Sequence, residues 1–324
     1  MAGEQKIEIL RKARRRRTGP VVFSTMRDES YHLPFFLDHY RNLGIADFLI
    51  YDDSSSDGTT EYLLSQDDVS VITSDVPYCS KVAGEQRWSS VLKQTIPNTF
   101  IKTGWVILAD SDQYLYVPGN FGDIIEFVRI LEAQGSICAA ASMVDFYPER
   151  LADRLYPRDA PPSSKCRYFD KGKLFDWPPG QLAPQQSRAG LRVRLLNLLE
   201  QRHAEEYRRI FGATGPELAK TWNGPVLRCG TKAVVWNQHD VTVPPPDNVR
   251  LSFAHYKFTY KFTPDLDAKI SYALTSKAYF NASAEYVFLD AALRHIENVS
   301  LIGPETVEFE NAASLETAGH MFLR

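Results

Sequence analysis

Hydrophobic and polar positions alternate between two spacings along the first half of the chain. Short apolar runs rich in β-branched residues, typical of strands, occupy Pro20–Thr25, Ala46–Tyr51 and Val69–Thr73. Between these runs, Tyr31–Leu43 carries apolar residues at helical spacing, and a shorter helix is predicted over Thr59–Leu64. The pattern therefore predicts strands and helices in regular alternation.

The same alternation continues to residue 145. Helical spacing over Ala83–Gln94 precedes Gly104–Ala109, a continuous apolar run typical of a strand that is buried on both faces. An amphipathic helix over Phe121–Glu132 is followed by another buried strand over Ile137–Met143. This order predicts an α/β protein with a mostly parallel, doubly wound sheet, whose ligands bind at the carboxyl ends of the strands.

The pattern becomes irregular after residue 145. Tyr147–Pro184 is rich in proline and aromatic residues and predicts a long ordered loop that could line a site. The spacing beyond it predicts a helix over Leu195–Ile210, strands over Val226–Cys229, Lys232–Trp236 and Arg250–Phe258, and helices over Asp265–Phe280 and Glu285–Ile296.

Charge is unevenly distributed along the 324 residues. The net charge is −3, but the first 20 residues carry seven basic and two acidic side chains, so the remaining body is at −8. An acidic body argues against nucleic-acid binding, whereas the basic arm could contact an anionic membrane surface. The sequence lacks an apolar segment of membrane-spanning length, a secretory signal and a C-x-x-C pair, so we expect a cytoplasmic protein, with peripheral contact at the inner membrane face as an option.

The most hydrophobic predicted strand is followed by two acids, Asp110 and Asp112, with Ser111 between them. On extended backbone, residues i and i+2 point the same way, so the two carboxylates can converge on one ligand. Paired carboxylates at the end of a buried strand suit a divalent cation and its phosphate oxygens. The alternative is a solvated turn, because a D-x-D sequence is common by itself.

Two other strands are followed by acidic loops. Asp52 and Asp53 precede a run of turn and capping residues, and two acids are more than capping needs, so they are placed to accept hydrogen bonds from a ribose or a base. Arg27, Asp28 and Glu29 follow the first strand in the same way. Three successive strands thus bring acidic loops to one edge of the sheet.

Taken together, these three segments resemble the family 2 glycosyltransferases of the GT-A fold over residues 21–116. Later segments resemble a bacterial subgroup of that family: G-L-R-V-R at 190–194, P-V-L-R at 225–228, A-H-Y-K-F at 254–258 and a C-terminal A-G-H-M. The subgroup usually has an acid directly after D-x-D, where this chain has Gln113.

The resemblance implies a Rossmann-like GT-A sheet with an acceptor-side α+β extension. It divides the chain into a basic and flexible arm over 1–19, a nucleotide-sugar-binding half over 20–116, an acceptor and catalytic half over 117–260 with the aromatic loop across 147–190, and C-terminal helices and tail over 261–324. The resemblance further implies that Arg27, Asp28, Glu29, Asp52, Asp53, Asp110, Ser111, Arg192, Arg194 and Lys257 bind the nucleotide sugar, and that Asp110, Asp112 and His255 bind the metal.

The implied activity is metal-dependent transfer of a sugar, with inversion, from a nucleoside-diphosphate sugar to an acceptor hydroxyl. A UDP-sugar is the favoured donor, the acceptor is a carbohydrate or lipid-linked molecule, and the cofactor is Mn²⁺ or Mg²⁺. The acceptor hydroxyl must lose a proton, and Asp145 is the first candidate for the base, ahead of Asp176. The alternative for Asp145 is an ion pair with Arg150. Alternative functions are a nucleotidyltransferase or a non-catalytic sugar- or nucleotide-binding module, and the sequence predicts no oligomeric state.

Overall fold

A large mixed sheet organises the part of the chain that the computed structural model describes. That part comprises residues 7–14, 19–78, 80–82, 87–119, 123–155, 159–211, 220–235, 239–259, 261–263, 266–267, 270–271 and 280–324. The strands are β1 (Glu8–Arg11), β2 (Val21–Met26), β3 (Phe48–Asp52), β4 (Val69–Thr73), β5 (Gly104–Leu108), β6 (Gln113–Tyr116), β7 (Cys138–Asp145), β8 (Tyr168–Asp170), β9 (Phe175–Asp176), β10 (Gln185–Gln186), β11 (Trp222–Cys229), β12 (Val249–His255), β13 (Thr306–Glu308) and β14 (Phe322–Leu323).

Helices accompany the sheet throughout the chain. They are α1 (His32–Asn42), α2 (Thr59–Ser65), α3 (Trp88–Ile96), α4 (Ile124–Ala133), α5 (Leu191–Arg202), α6 (Ala204–Phe211), α7 (Phe280–Ile296) and α8 (Ala312–Thr317). In the part of the chain that the structure describes, none of them combines the length and the hydrophobicity that crossing a bilayer requires.

The ten-stranded sheet has the order β1-β4-β3-β2-β5-β11-β7-β12-β14, and β6 also pairs with β12. Six strands, β4, β3, β2, β5, β7 and β12, run in the same direction, and the other four are antiparallel to their neighbours. The expected α/β class with a mostly parallel sheet is therefore confirmed. The sheet is compatible with a Rossmann-like fold.

The strand order reverses between β2 and β5. From β2 the chain adds β3 and β4 on one side, and β5 then joins β2 on the other side. In open α/β sheets, ligands bind outside the carboxyl ends of the strands at such a reversal. The residues that follow β2 and β5 are those of the first acidic loop and of the D-x-D sequence.

The core lies on both faces of these central strands. All residues of β3 are buried, as are Val21, Val22 and Phe23 of β2. Helix α1 has an apolar face at spacings of three and four residues, and its residues Leu33 and Phe36 are fully buried. Burial on both faces explains why these strands appear in the sequence as continuous apolar runs.

Part of the basic arm belongs to the central sheet. Glu8–Arg11 forms β1, which pairs antiparallel with β4 at the edge of the sheet. Arg11 also donates to Asp67, at 3.0 Å, and the backbone N–H of Ala13 donates to Ser70 Oγ. The sequence predicted no strand over residues 8–11, because the stabilising partners lie about 60 positions away and leave no local pattern. Residues 1–6 and 15–18 lie outside the described residues.

Several predicted elements differ from the observed ones. The helix predicted over 195–210 is two helices, α5 and α6, separated at His203, and the strand predicted over 232–236 is reduced to an isolated bridge between Val235 and Val241. The irregular segment 147–184 contains the short strands β8 and β9, which pair with β13 and β10. Residues 83–86, 121–122 and most of the helix predicted over 265–280 lie outside the described residues.

Candidate functional site

The D-x-D residues lie in the turn that joins β5 to β6. Asp110 accepts a hydrogen bond from Lys93 Nζ, at 2.9 Å, and another from Gln113 Nε2, at 3.1 Å. Asp112 instead faces His255, with 3.2 Å between its Oδ2 and the ring Nε2. The backbone at these two residues is a turn and not the extended strand predicted from the sequence, and each carboxylate has its own partners, although both border the same cavity.

Lys93 was not among the residues that the sequence singles out. It lies on α3, and its side chain is only 7% exposed, so its ammonium group is held inside the protein beside Asp110. Burial opposes the charged form, but the Asp110 carboxylate outweighs it and raises the pKa of Lys93. Helical spacing placed Lys93 on a helix but could not show which acid it would meet.

His255 is held between two carboxylates. Its Nδ1 lies 2.8 Å from Asp145 Oδ1 at the end of β7, and its Nε2 faces Asp112. The adjacent strands β7 and β12 run parallel and place His255 opposite Asp145 in register. Burial alone would lower the pKa of His255, but the two carboxylates raise it to about 9.

A buried ion network continues from this pair. Arg192, at the start of α5, donates to both oxygens of Asp145, at 2.8 and 2.9 Å. Arg192 also donates to Glu285 of α7 at 2.8 Å, and Lys257 lies 3.3 Å from the same Glu285 oxygen. Arg192, Asp145 and Glu285 are each less than 9% exposed at the side chain, so the network is closed to solvent over most of its length.

This network bears on the choice of the catalytic base. Burial would raise the pKa of Asp145, but Arg192 and His255 hold it well below its usual range. A carboxylate with both oxygens engaged and a depressed pKa is poorly suited to accept a proton. The geometry suits Asp145 to orienting His255. Its partner is Arg192 and not the Arg150 considered from the sequence.

A cavity of about 150 Å³ opens beside Asp112 and His255. Its charged lining consists of Glu29, Asp110, Asp112, His255, Lys257 and Lys261. Glu29 follows β2, and its carboxylate lies 2.8 Å from Lys261 Nζ. The structure therefore brings the loops after β2, β5 and β12 together at the reversal of the sheet, with acidic and basic groups on the same cavity.

The acids at the end of β3 make hydrogen bonds within their own part of the fold. Asp52 is buried and accepts hydrogen bonds from Ser55 Oγ, at 2.5 Å, and from Thr60 Oγ1, at 2.6 Å. Asp53 accepts a hydrogen bond from the backbone N–H of Tyr78 at 2.9 Å, and Arg27 lies 3.4 Å away. These contacts hold the turn in place.

The remaining candidates are distributed around the site. Asp28, with a φ of 54°, accepts a hydrogen bond from the backbone N–H of Ser56 at 2.7 Å, and Ser111 is buried in the D-x-D turn. Arg194 donates to Asp170 and to the hydroxyl of Tyr147, both at 2.7 Å. Arg194 is thereby engaged beside β8.

Asp176 lies apart from this arrangement. It belongs to the short strand β9, its side chain is 58% exposed, and it pairs with Lys173 at 2.8 Å. Neither residue borders the cavity at Asp112. The structure thus gives no support to Asp176 as the base.

A divalent cation fits only part of this donor set. The described residues hold no group of three or more His, Cys, Asp and Glu side chains arranged for a metal ion. Asp112 and His255 nevertheless have suitable chemistry, because cis ligands at the Mg²⁺ distance of about 2.1 Å lie about 3 Å apart. The Nδ1 contact with Asp145 is the kind of carboxylate partner that orients metal-binding histidines. These two side chains could supply protein ligands to a cation whose other ligands are phosphate oxygens.

Comparison of the chain with models of known protein families gives no match, and no curated protein is significantly similar to it in sequence. The likeness to family 2 glycosyltransferases therefore rests on the motifs of the chain.

Proposed function

We propose that this protein is a metal-dependent glycosyltransferase that takes a nucleoside-diphosphate sugar as donor, with a UDP-sugar favoured. The observation that carries the proposal is the cavity at the reversal of the sheet, where Asp112 faces His255 at 3.2 Å and Lys257 borders the same space. Hard oxygen and imidazole donors next to a cationic side chain suit a diphosphate and the cation that accompanies it.

Asp112 and His255 would hold the cation, which would take the place of the proton on His255 Nε2, and Asp145 would fix the ring of His255. A cation bound there would offset the charge that develops on the leaving nucleoside diphosphate. Lys257 would donate hydrogen bonds to phosphate oxygens, with Glu285 keeping its ammonium group in place before the donor arrives. Arg192 stays in the buried network, so its part is to position Asp145 and Glu285 and not to contact the diphosphate.

The acceptor is proposed to be a hydroxyl of a carbohydrate or lipid-linked molecule. Such a hydroxyl has a pKa far above 7 and must lose its proton as the new glycosidic bond forms. Direct displacement by this oxygen inverts the anomeric centre. The basic residues of the N-terminal arm remain a proposed contact with an anionic membrane surface.

The proposal is tested by incubating the protein with UDP-, GDP- and dTDP-sugars in the presence of Mn²⁺ and measuring the nucleoside diphosphate that is released. We expect release with at least one donor, and loss of that release on chelation of the metal. Thermal unfolding with Mn²⁺ and nucleotide provides a readout that does not depend on the acceptor. Absence of both release and thermal shift with every donor would contradict the proposal.

A further inference from the structure

His32 is a buried polar residue that the motifs leave without a role. It is the first residue of α1, it is only 3% exposed, and it is one of the residues that line the cavity at Asp112 and His255. Its Nε2 lies 3.4 Å from Thr259 Oγ1. Within the described residues its Nδ1 has no hydrogen-bond partner. Buried polar atoms in folded proteins almost always have a hydrogen-bond partner, so a bound ligand would account for the Nδ1 of His32.

The ring of His32 is neutral at pH 7. Burial lowers its pKa to about 4, and the nearby Asp112 carboxylate offsets only part of this effect. A neutral imidazole offers one N–H and one lone pair, and the contact of Nε2 with Thr259 can be made with either nitrogen protonated, because a hydroxyl both donates and accepts. The spare Nδ1 is therefore either an acceptor or a donor.

A hydroxyl is the ligand group that satisfies Nδ1 in both cases. A phosphate oxygen can only accept a hydrogen bond, and an ammonium group can only donate one, so each would fit a single tautomer. A neutral ring also contributes no attraction for an anion, and Lys257 and Lys261 already border the cavity as cations. His32 is thus suited to the uncharged part of a ligand whose charged part lies at Asp112 and Lys257.

We propose that His32 contacts the substrate in this cavity by sharing a hydrogen bond between its Nδ1 and a sugar hydroxyl. The inference rests on the proposed function, because that function places a nucleotide sugar beside Asp112. The hydroxyl belongs either to the bound donor or to the molecule that attacks it. His32 is then a specificity-determining residue for the neutral part of the substrate.

Three substitutions distinguish this role from a purely structural one. The side-chain amide of Asn can take the place of Nδ1, that of Gln can take the place of Nε2, and Phe fills the space without a polar atom. His32→Asn would therefore keep the ligand contact and His32→Gln the contact with Thr259. His39→Gln, on the same helix but away from the cavity lining, is the matched control.

The experiment measures two quantities for each folded variant, with Mn²⁺ present. Calorimetry gives the affinity for UDP and for the nucleotide sugar that the wild type turns over best, and released UDP gives the rate of donor hydrolysis by water at saturation. For a donor hydroxyl, we expect His32→Phe and His32→Gln to bind the nucleotide sugar about 3- to 10-fold more weakly, with a smaller loss in His32→Asn. If the hydroxyl belongs to the attacking molecule, we expect the affinity for the nucleotide sugar to stay unchanged. The rate of hydrolysis should then fall about 3- to 10-fold in His32→Phe and His32→Gln, and less in His32→Asn.

The outcomes separate the two proposals. Unchanged affinity and hydrolysis in all three variants, with thermal stability best kept by His32→Gln, would overturn the role of His32 and leave the glycosyltransferase proposal standing. Wild-type protein that binds no nucleotide sugar would overturn both. A loss equal in His32→Phe and His39→Gln would also overturn the inference, since the cavity would then be irrelevant to the effect.

Discussion

At the end of β3, Asp52 accepts short hydrogen bonds from Ser55 and Thr60, whereas after β5 Asp112 faces the ring of His255 at the edge of a cavity. Both acids lie at or just beyond the end of a buried strand and close to a second acid, so the two segments look alike in sequence. The difference lies in what the neighbouring strand supplies. Next to Asp112 stands β12 with His255, while the partners of Asp52 come from its own loop and the start of α2.

The two acids differ in whether the carboxylate is already satisfied by its own surroundings. A carboxylate whose acceptor sites are taken by nearby hydroxyl and N–H groups is already satisfied, and a ligand must displace those groups. Asp112 has a partner on a distant strand and borders open volume. Contacts such as those of Asp52 are made with residues nearby in the sequence. The contact of Asp112 with His255 instead depends on how β6 and β12 pair in the sheet.

The largest expected effect follows from Asp112→Asn. Loss of this carboxylate should lower metal-dependent release of nucleoside diphosphate by about a thousandfold or more, which is roughly 4 kcal/mol in activation free energy. The melting temperature should stay within a few degrees of the wild type, because Asp112 is partly exposed and its main partner is a histidine. Release assays and thermal unfolding measure the two effects.

Asp52→Asn is the matched substitution in the structural loop. It removes charge from a buried acceptor of two hydroxyl groups, so unfolding should become easier by about 1–3 kcal/mol. Turnover per folded molecule should remain within a few-fold of the wild type. Loss of turnover at unchanged stability would show that Asp52 binds substrate, and the contrast between the two loops would be wrong.

Arg192→Met should produce the largest loss of stability. It leaves Asp145 and Glu285 buried without their common cation, and breaking a buried ion pair in this way costs about 3–5 kcal/mol. Arg209→Met, which removes an exposed arginine paired with Glu206 on α6, should have no measurable effect on unfolding. Equal unfolding free energies for the two variants in urea would contradict the buried network.

The sequence predicted much of the fold but less of the site. Continuous apolar runs and helical spacing are local signals, and they located β2 to β5 and the helices between them. The strand β1 escaped because its alternation is weak and its stabilisation comes from pairing with β4. The break at His203 also escaped, because α5 and α6 have charged residues at similar spacing.

For the site, the sequence identified residue types and the structure supplied their partners. The motifs drew attention to Asp112, His255 and Lys257, which do border one cavity. They also suggested Asp145 as a base, yet its pKa is depressed by Arg192, which lies 47 positions further along the chain. Lys93 and Glu285 have no motif of their own, so only the packing of α3 and α7 could reveal them.

His320 of the C-terminal A-G-H-M segment resembles Asp52, because its side chain is buried and bonded within the fold. It is 1% exposed, and its Nε2 lies 2.6 Å from the backbone oxygen of Asp170. Burial lowers its pKa from 6.5 to about 4, so the folded state binds fewer protons than the unfolded state between these values. The stability contributed by neutral His320 is therefore present above pH 6.5 and is lost as the pH falls towards 4.

His320→Gln tests this assignment, since the Gln amide can still donate to the oxygen of Asp170. The decrease in unfolding free energy between pH 7 and pH 5 should be smaller in the variant by roughly 1–2 kcal/mol. Urea titrations at the two pH values measure it. An identical pH dependence in both proteins would mean that His320 does not titrate in this range.

The smallest expected effect separates the two acids of the D-x-D turn from each other. Lys93 neutralises Asp110 at 2.9 Å, so Asp112 acts beside a compensated neighbour. Lys93→Met should leave Asp110 uncompensated and raise the affinity of the protein for Mn²⁺ alone by about threefold to tenfold, roughly 1 kcal/mol, because Asp110 is 41% exposed and largely screened. Lys93→Arg keeps the charge and should bind Mn²⁺ as the wild type does. Titration of the free-ion EPR signal measures the Mn²⁺ affinity of each variant. Equal affinities for the Met and Arg variants would show that Asp110 is too far from the cation to affect its binding. Only Asp112 and His255 would then remain as protein ligands of the cation.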